Sequence, residues 1–340
     1  MGTDVSQQIG RQSIKFHEAV HILSGASVVG KKEGDGPLGH LFDKVFEDPY
    51  INGKTWEEGE ANLQKEAAAL AMKKANLEKS DIRYIFSGDL LNQLIGTTFG
   101  LIDFEIPVFG LYGACSTMGE ALSLGSITIA GGFADKVIAM ASSHFGSAEK
   151  TFRFPLGYGN QRPYSASWTV TGCGSVVLGK EKGFARITGI TTGKITDYGV
   201  EDSMNMGACM APSAADVIYN NFIDFGVDST HYDKIITGDL GYIGQTILIE
   251  LMKDKGFDIS EQHMDCGIEI FDGEKQDTHA GGSGCGCSAA TLCSYVFKQL
   301  MKKAWKRVLF IPTGALLSTV SFNEGMTIPG VAHGVVIESC

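Results

Sequence analysis

No uncharged apolar stretch of the 340-residue chain approaches the ~20 residues that a bilayer-crossing helix requires, so membrane contact is expected to run through a partner protein. The segment Met1 to Lys15 is polar and lacks the apolar core of a secretory signal, and the formal myristoylation pattern Met1-Gly-Thr-Asp-Val-Ser6 is expected to be chance. Positive charge is short: 28 Lys and Arg against 39 Asp and Glu leave a net −11. That balance argues against nucleic acid or an anionic membrane as the main electrostatic partner, and an anionic ligand would need a locally positive pocket. No Asp-x-Asp-x-Asp-Gly run is present, which excludes an EF-hand type calcium loop. The eight cysteines form no framework, since the one close pair, Cys285 and Cys287, is split by a single glycine. Neither a secreted disulfide scaffold nor a zinc site has that spacing, and a reducing interior is the simplest compartment. Proline is scarce, eight residues against 44 glycines, which favours tight strand–helix turns over linkers.

What the chain does have is a focal stretch, Gly110-Leu-Tyr-Gly-Ala-Cys115-Ser-Thr-Met-Gly-Glu120. An apolar strand, Pro107 to Leu111, runs into a small-residue turn, and a cysteine sits where a helix begins. Thr117 with Glu120 three residues on predicts a capping box, and Met118 to Ala130 suit a helix buried on most sides. Near a helix N-terminus a thiol pKa falls and anions are attracted. Cys115 is therefore a nucleophile or the floor of an anion pocket, against the plain alternative of a small buried hydrophobe.

The rest of the chain repeats itself. A first strand is expected over Ala19 to Gly30, followed by a charged, glycine-rich loop from Lys31 to His40, and Trp56 to Lys74 predicts an amphipathic helix burying Ala67, Ala68, Ala71 and Met72. Tyr84-Ile-Phe-Ser-Gly-Asp-Leu90 recurs as Lys234-Ile-Ile-Thr-Gly-Asp-Leu240, and Gly113-Ala-Cys-Ser116 is echoed by Cys285-Gly-Cys-Ser288, again before a helical run, Ala289 to Lys302. Lys136 to Ser142 matches Arg307 to Thr313, and Gly174 to Leu178 matches His333 to Ile337. Four elements in the same order point to a duplication. The fold class is α/β, built from two βαβαβ halves, residues 1–183 and 184–340, with ligand chemistry at the C-terminal ends of the parallel strands.

A doubled unit with a cysteine at the start of a buried central helix resembles the thiolase superfamily. A narrower resemblance rests on Asp35-Gly-Pro-Leu-Gly-His-Leu-Phe-Asp43, Gly88-Asp-Leu-Leu-Asn-Gln93, Gly113-Ala-Cys-Ser-Thr117, Ser142-Ser-His144, Gly207 to Asp216, Ala280-Gly-Gly-Ser-Gly-Cys285 and Thr313-Gly-Ala-Leu-Leu-Ser318. Together these are similar to the stage V sporulation protein AD family. The resemblance implies a thiolase-like, five-layered α/β/α/β/α body without synthase activity that binds dipicolinic acid, with no cofactor and with calcium only as part of a calcium–dipicolinate ligand. It also implies a homodimer, work beside membrane proteins of the same sporulation group, and a peripheral place at the spore inner membrane after synthesis in the cytoplasm.

The residue chemistry agrees with a binder. Where synthases carry a His-Gln-Ala-Asn type motif the chain reads Gly238-Asp-Leu-Gly-Tyr242, and where they have Gly-Asn it reads Cys285-Gly-Cys287, so the imidazole and amide that activate the thiol and hold an oxyanion are missing. His279, ahead of a glycine cluster, is the one histidine placed to reach Cys115, against the plainer reading of an exposed loop residue. A ligand set of Cys115, His144, Arg153, Gln161, Asp239, His279 and Cys287 is expected, with Phe152, Phe154, Tyr158 and Tyr164 as ring-stacking candidates and Lys150 and Arg162 solvated. Asp89 or Asp239 would offer oxygen to a metal. The rival reading is an acyl transferase or ketoacyl synthase-like enzyme using Cys115.

Overall fold

The computed structural model describes residues 6–152 and 161–340. In the first half the elements are β1 (Ser13–Gly30), α1 (Trp56–Lys74), β2 (Tyr84–Gly88), α2 (Ile95–Leu101), β3 (Val108–Gly110), α3 (Thr117–Ala130), β4 (Lys136–Ser143), α4 (Phe145–Phe152) and β5 (Gly172–Gly179). The second half repeats them as β6 (Ala185–Thr192), α5 (Met206–Phe225), β7 (Lys234–Thr237), α6 (Gly241–Asp254), β8 (His263–Asp265), α7 (Cys285–Thr291), β9 (Arg307–Ile311) and β10 (Gly330–Ser339). Helix α7 runs on through one π-helical turn, Leu292–Val296, into Phe297–Met301.

The strand order β8-β7-β9-β10-β6-β1-β5-β4-β2-β3 is the same read from either end. The sequence repeat is thus a spatial repeat: β2 and β7 occupy equivalent parallel positions, as do β4 and β9, while β5 and β10 are the antiparallel strands beside them. The two half-sheets join where β1 pairs antiparallel with β6, and β1 serves both because its 18 residues pair with β5 along their later part and with β6 along their earlier part. Helices α3 and α7 lie between the half-sheets, α1 and α2 cover the first from outside, and α5 and α6 cover the second. This is the five-layered thiolase-like body.

The central layer is held by close backbone approach. A Cβ on Gly174 of β5 would lie 2.1 Å from the Ala289 carbonyl oxygen of α7, and one on Gly119 of α3 would lie 2.8 Å from the His333 carbonyl of β10. Backbone atoms cannot rotate away as side chains do. Gly174→Ala is therefore expected to lower unfolding free energy by roughly 3 kcal/mol or more, an overpacking cost readable in urea denaturation.

Two local expectations change. The capping box does not form: Ser116 precedes the helix without a side-chain cap, the Thr117 hydroxyl donates to the Ala114 carbonyl at 2.7 Å, and Glu120 does not reach back. The cause is the turn, in which Ala114 takes φ of +50° and folds Gly113 to Thr117 so tightly that the threonine oxygen is used inside it. The charged loop after β1 contains a helical turn, Lys31–Gly34, and a 3-10 turn, Gly39–Leu41.

Candidate functional site

Cys115 stands just ahead of α3, beside the turn after β7 and the glycine that opens α7. It is buried at the bottom of a narrow space whose lining includes Tyr112, Thr169, Ser203, Gly284 and Ala315. Its thiol faces the Asp239 carboxylate, delivered by the turn after β7. Asp239 is itself fixed, taking the Gly284 N–H at 3.0 Å on one oxygen and the Thr313 hydroxyl at 2.8 Å on the other. Burial pushes its carboxyl up to about 7, against the pull of those donors.

Burial, then the Asp239 charge, then Cys285 hold the Cys115 thiol well above its ordinary range; the Gly284 N–H opposes them weakly. The activation expected of a helix N-terminus is overridden by an acidic neighbour. No imidazole and no Asn or Gln amide lines the space among the described residues. Cys285 donates its thiol to the Ala114 carbonyl at 3.0 Å and so ties the second half to the first, whereas Cys287 donates to the Gly238 carbonyl at 3.4 Å within the second half. Cys287 supports the Asp239 turn and is fully buried.

The remaining expected ligands among the described residues lie elsewhere. His279 does not line the space over Cys115. Its Nδ1 bonds the Pro163 carbonyl at 2.9 Å and its Nε2 lies 3.0 Å from Asp277. His144 is buried and lowered in pKa, chiefly by that burial. Its Nε2 donates to the Pro49 carbonyl at 2.8 Å while Nδ1 accepts the Gly146 N–H, which fixes the neutral tautomer and turns the ring away from the thiol. Gln161 is exposed. Arg153, Phe154, Tyr158 and the side chain of Phe152 lie outside the described residues, and Tyr164 points to solvent.

Arg162 departs from its expected solvation, whereas Lys150 stays part-exposed at the surface. The Arg162 side chain is fully buried, donating to the Asp277 carbonyl and lying 4.8 Å over the Trp168 ring, because that aromatic face and carbonyl replace water for the guanidinium. Lys150 pairs with Glu57. Asp89, the repeat equivalent of Asp239, faces α2 instead of the thiol, taking the Leu91 and Thr97 N–H groups and the Thr97 hydroxyl at 2.7 to 2.8 Å. Both aspartates are engaged by protein donors, and neither lies open to an incoming metal.

The sequence profile of the family described as Stage V sporulation protein AD matches residues 10–338. The chain belongs to the stage V sporulation protein AD family. It is 42% identical over 329 residues to the Stage V sporulation protein AD of Bacillus subtilis (strain 168), covering 97% of each chain. Among solved structures it is similar to a 3-oxoacyl-[acyl-carrier-protein] synthase III from Aquifex aeolicus VF5, with TM-score 0.56, 14% identity, and 94% of this chain and 99% of that one covered. It is likewise similar to the Acat5 thiolase from Ascaris suum in complex with coenzyme A, with TM-score 0.56, 13% identity, and 95% and 100% covered. At such identities the likeness carries the fold alone. The stage V sporulation protein AD family thus takes its name from sporulation while its fold neighbours are enzymes, and in this member the residue opposite the cysteine is an aspartate.

Proposed function

We propose that the chain is a receptor for dipicolinic acid that has left thiolase-type chemistry behind, and that it helps load that acid into the forming spore beside membrane proteins of the same sporulation group. The observation that carries the non-catalytic part is the pairing of Cys115 with Asp239. A thiol that must become a thiolate is opposed by a buried carboxylate, where a general base would have to sit. Family membership and the resemblance in the glycine-rich blocks support the ligand. Among the described residues no helix is long and apolar enough to cross a membrane, so a place at the spore inner membrane would depend on those partners. The test is equilibrium dialysis with dipicolinate, run beside incubation with acetyl-CoA and malonyl-CoA and intact-mass measurement. Saturable dipicolinate binding at one site per chain without a covalent adduct is the expected result. An acyl adduct on Cys115 would return the protein to the enzymes.

The receptor is proposed to work as a homodimer. Strand β3 ends the sheet order, and its Val108 and Phe109 are exposed, as are Phe99 and Ile102 of the neighbouring α2 segment. An apolar unpaired edge of this kind is stable in water when a second copy covers it. Val108→Asp is expected to halve the mass seen in sedimentation while leaving the melting temperature of the monomer nearly unchanged; an unaltered mass would place the interface elsewhere.

A further inference from the structure

Two stretches of the second half leave large apolar side chains in water. Tyr198 is 68% exposed, Val320 66%, Met326 55% and Phe322 45%. They belong to the segment that leads from β6 to α5 and to the segment ahead of β10, which includes the short helix Thr319–Asn323. The two are held side by side. Thr196 and Gly330 exchange backbone hydrogen bonds at 2.9 and 2.7 Å, the Ile328 N–H donates to the Val200 carbonyl at 2.8 Å, and the Thr327 hydroxyl donates to Asp197 at 2.6 Å. The Met326 N–H donates to the Ser321 carbonyl at 3.0 Å, which folds that end of the loop back on the short helix. The four exposed side chains therefore share one surface, and a contiguous apolar patch of this kind marks a place where another molecule docks.

The charge around the patch decides which molecule. Residues 195–205 and 316–328 contain four carboxylates, Asp197, Glu201, Asp202 and Glu324, all exposed, and no Lys, Arg or His. Lys194, just ahead of the first segment, is engaged by Asp216 at 2.9 Å. The Thr327 hydroxyl first, then the Gly199 N–H, hold the Asp197 carboxyl below its ordinary range. An anionic lipid surface would be repelled by that rim, and a second copy of the chain brings the same net −11. What fits is an apolar face flanked by Lys or Arg.

We propose that this acid-rimmed apolar patch is the docking surface for a Lys/Arg-rich amphipathic segment of a partner protein. The apolar face of that segment covers Tyr198, Val320, Phe322 and Met326, and its cations meet the four carboxylates. Cytoplasmic segments of membrane proteins are rich in Lys and Arg beside their apolar spans, so their chemistry suits the patch. Identifying the partner as such a protein rests on the receptor reading above; the surface itself does not. Ser203, Met204 and Leu317, in the same two segments, line the space over Cys115, so a partner seated on the patch stands at the edge of that space.

The probe is a fluorescein-labelled amphipathic helix of leucine and lysine, titrated into the full chain and read by anisotropy at low and high salt, with its leucine–glutamate counterpart as control. The proteins are wild type, Val320→Ser with Phe322→Ser, Glu201→Lys with Glu324→Lys, and Asp254→Lys with Glu261→Lys, each checked for an unchanged melting transition. The last pair makes the same change of charge at the opposite end of the strands, where α6 ends and just ahead of β8. Expected are saturable binding of one leucine–lysine helix per chain, weakened by salt, and none of the glutamate peptide. Each patch variant should lose at least ~10-fold in affinity, and the remote pair less than about twofold. Equal losses in the remote and patch variants, or full affinity in Val320→Ser with Phe322→Ser, would show attraction to net charge alone and overturn the surface. A wild-type mass in sedimentation that rises with concentration, and no longer does so in Val320→Ser with Phe322→Ser, would give the patch to a second copy. Phosphatidylglycerol vesicles that retain wild type but not that variant would give it to lipid, and either result overturns the proposal. Dipicolinate dialysis on the same proteins is independent: its failure would end the receptor reading and leave the docking surface standing.

Discussion

Cys115 is expected to react with iodoacetamide at pH 8 at least ~100-fold more slowly than free cysteine, and Asp239→Asn is expected to recover tenfold or more of that loss. The thiolate is the reacting species, and each unit by which a thiol pKa rises removes about tenfold of it. Burial is the largest influence holding the Cys115 proton on, and the Asp239 carboxylate, which accepts it, is the next. With its own carboxyl near 7, Asp239 is mostly ionised at pH 8, so replacing it with an uncharged amide withdraws the second influence and leaves the first. The variant should therefore gain rate without reaching that of an exposed thiol. Peptide mapping is needed to read it, because Cys340 is partly exposed and will label first, whereas the other seven cysteines are buried. Labelling of Cys115 at the rate of a free thiol would show a primed nucleophile and reinstate the acyl-enzyme reading.

The duplication was legible because matched strands keep matched residues. Tyr84 to Leu90 and Lys234 to Leu240 are the two parallel strands at equivalent positions, so the fold followed from reading one half on the other. The same identity concealed a divergence, since Asp89 and Asp239 stand in one motif yet one serves α2 and the other the thiol. Which way such a carboxylate turns depends on what the other half brings to it, here Gly284 and Thr313, and a linear motif does not contain that. His144 directly follows β4, but its facing toward Pro49 is set by the loop ahead of α1, far away in the chain.

Helix α1 hides the feature with the largest consequence for stability. Its buried face was read as alanine and methionine, and it also carries Glu60 and Gln64, both with no exposed surface. They belong to a polar network in which the Ser142 and Ser147 hydroxyls donate to Glu60 at 3.0 and 2.7 Å, and Gln64 bridges Thr97, Ser87 and Ser142. Asp89 faces Glu60 across Gly96, where a Cβ would come within 3.1 Å of one side chain and 3.2 Å of the other. Burial first, then the Asp89 charge, pushes Glu60 up to about 8, and burial raises Asp89 too, so the pair keeps a proton at neutral pH.

The sign of the pH effect follows. Glu60 folds with a pKa near 8 against 4.5 for an ordinary carboxyl, so between those values the native state holds a proton that the unfolded chain releases. Its contribution is complete below about pH 4.5 and is lost as pH rises toward 8; Glu33 and Asp239, both near 7, add to the loss over a narrower window. Ion-paired carboxylates such as Glu338 work in the opposite sense at the acid end, and together they place maximum stability on the mildly acidic side of neutral. Unfolding free energy is expected to fall by roughly 7 kcal/mol from pH 5.5 to pH 9, about half of it from Glu60. Glu60→Gln keeps the shape of the side chain while removing its charge, so it should abolish about half of that slope, above all the part between pH 7 and 8, and match or exceed wild type at pH 9. Urea denaturation of both proteins across the range measures it, and parallel curves would mean that Glu60 is ionised in the fold and that the proton resides elsewhere in the network.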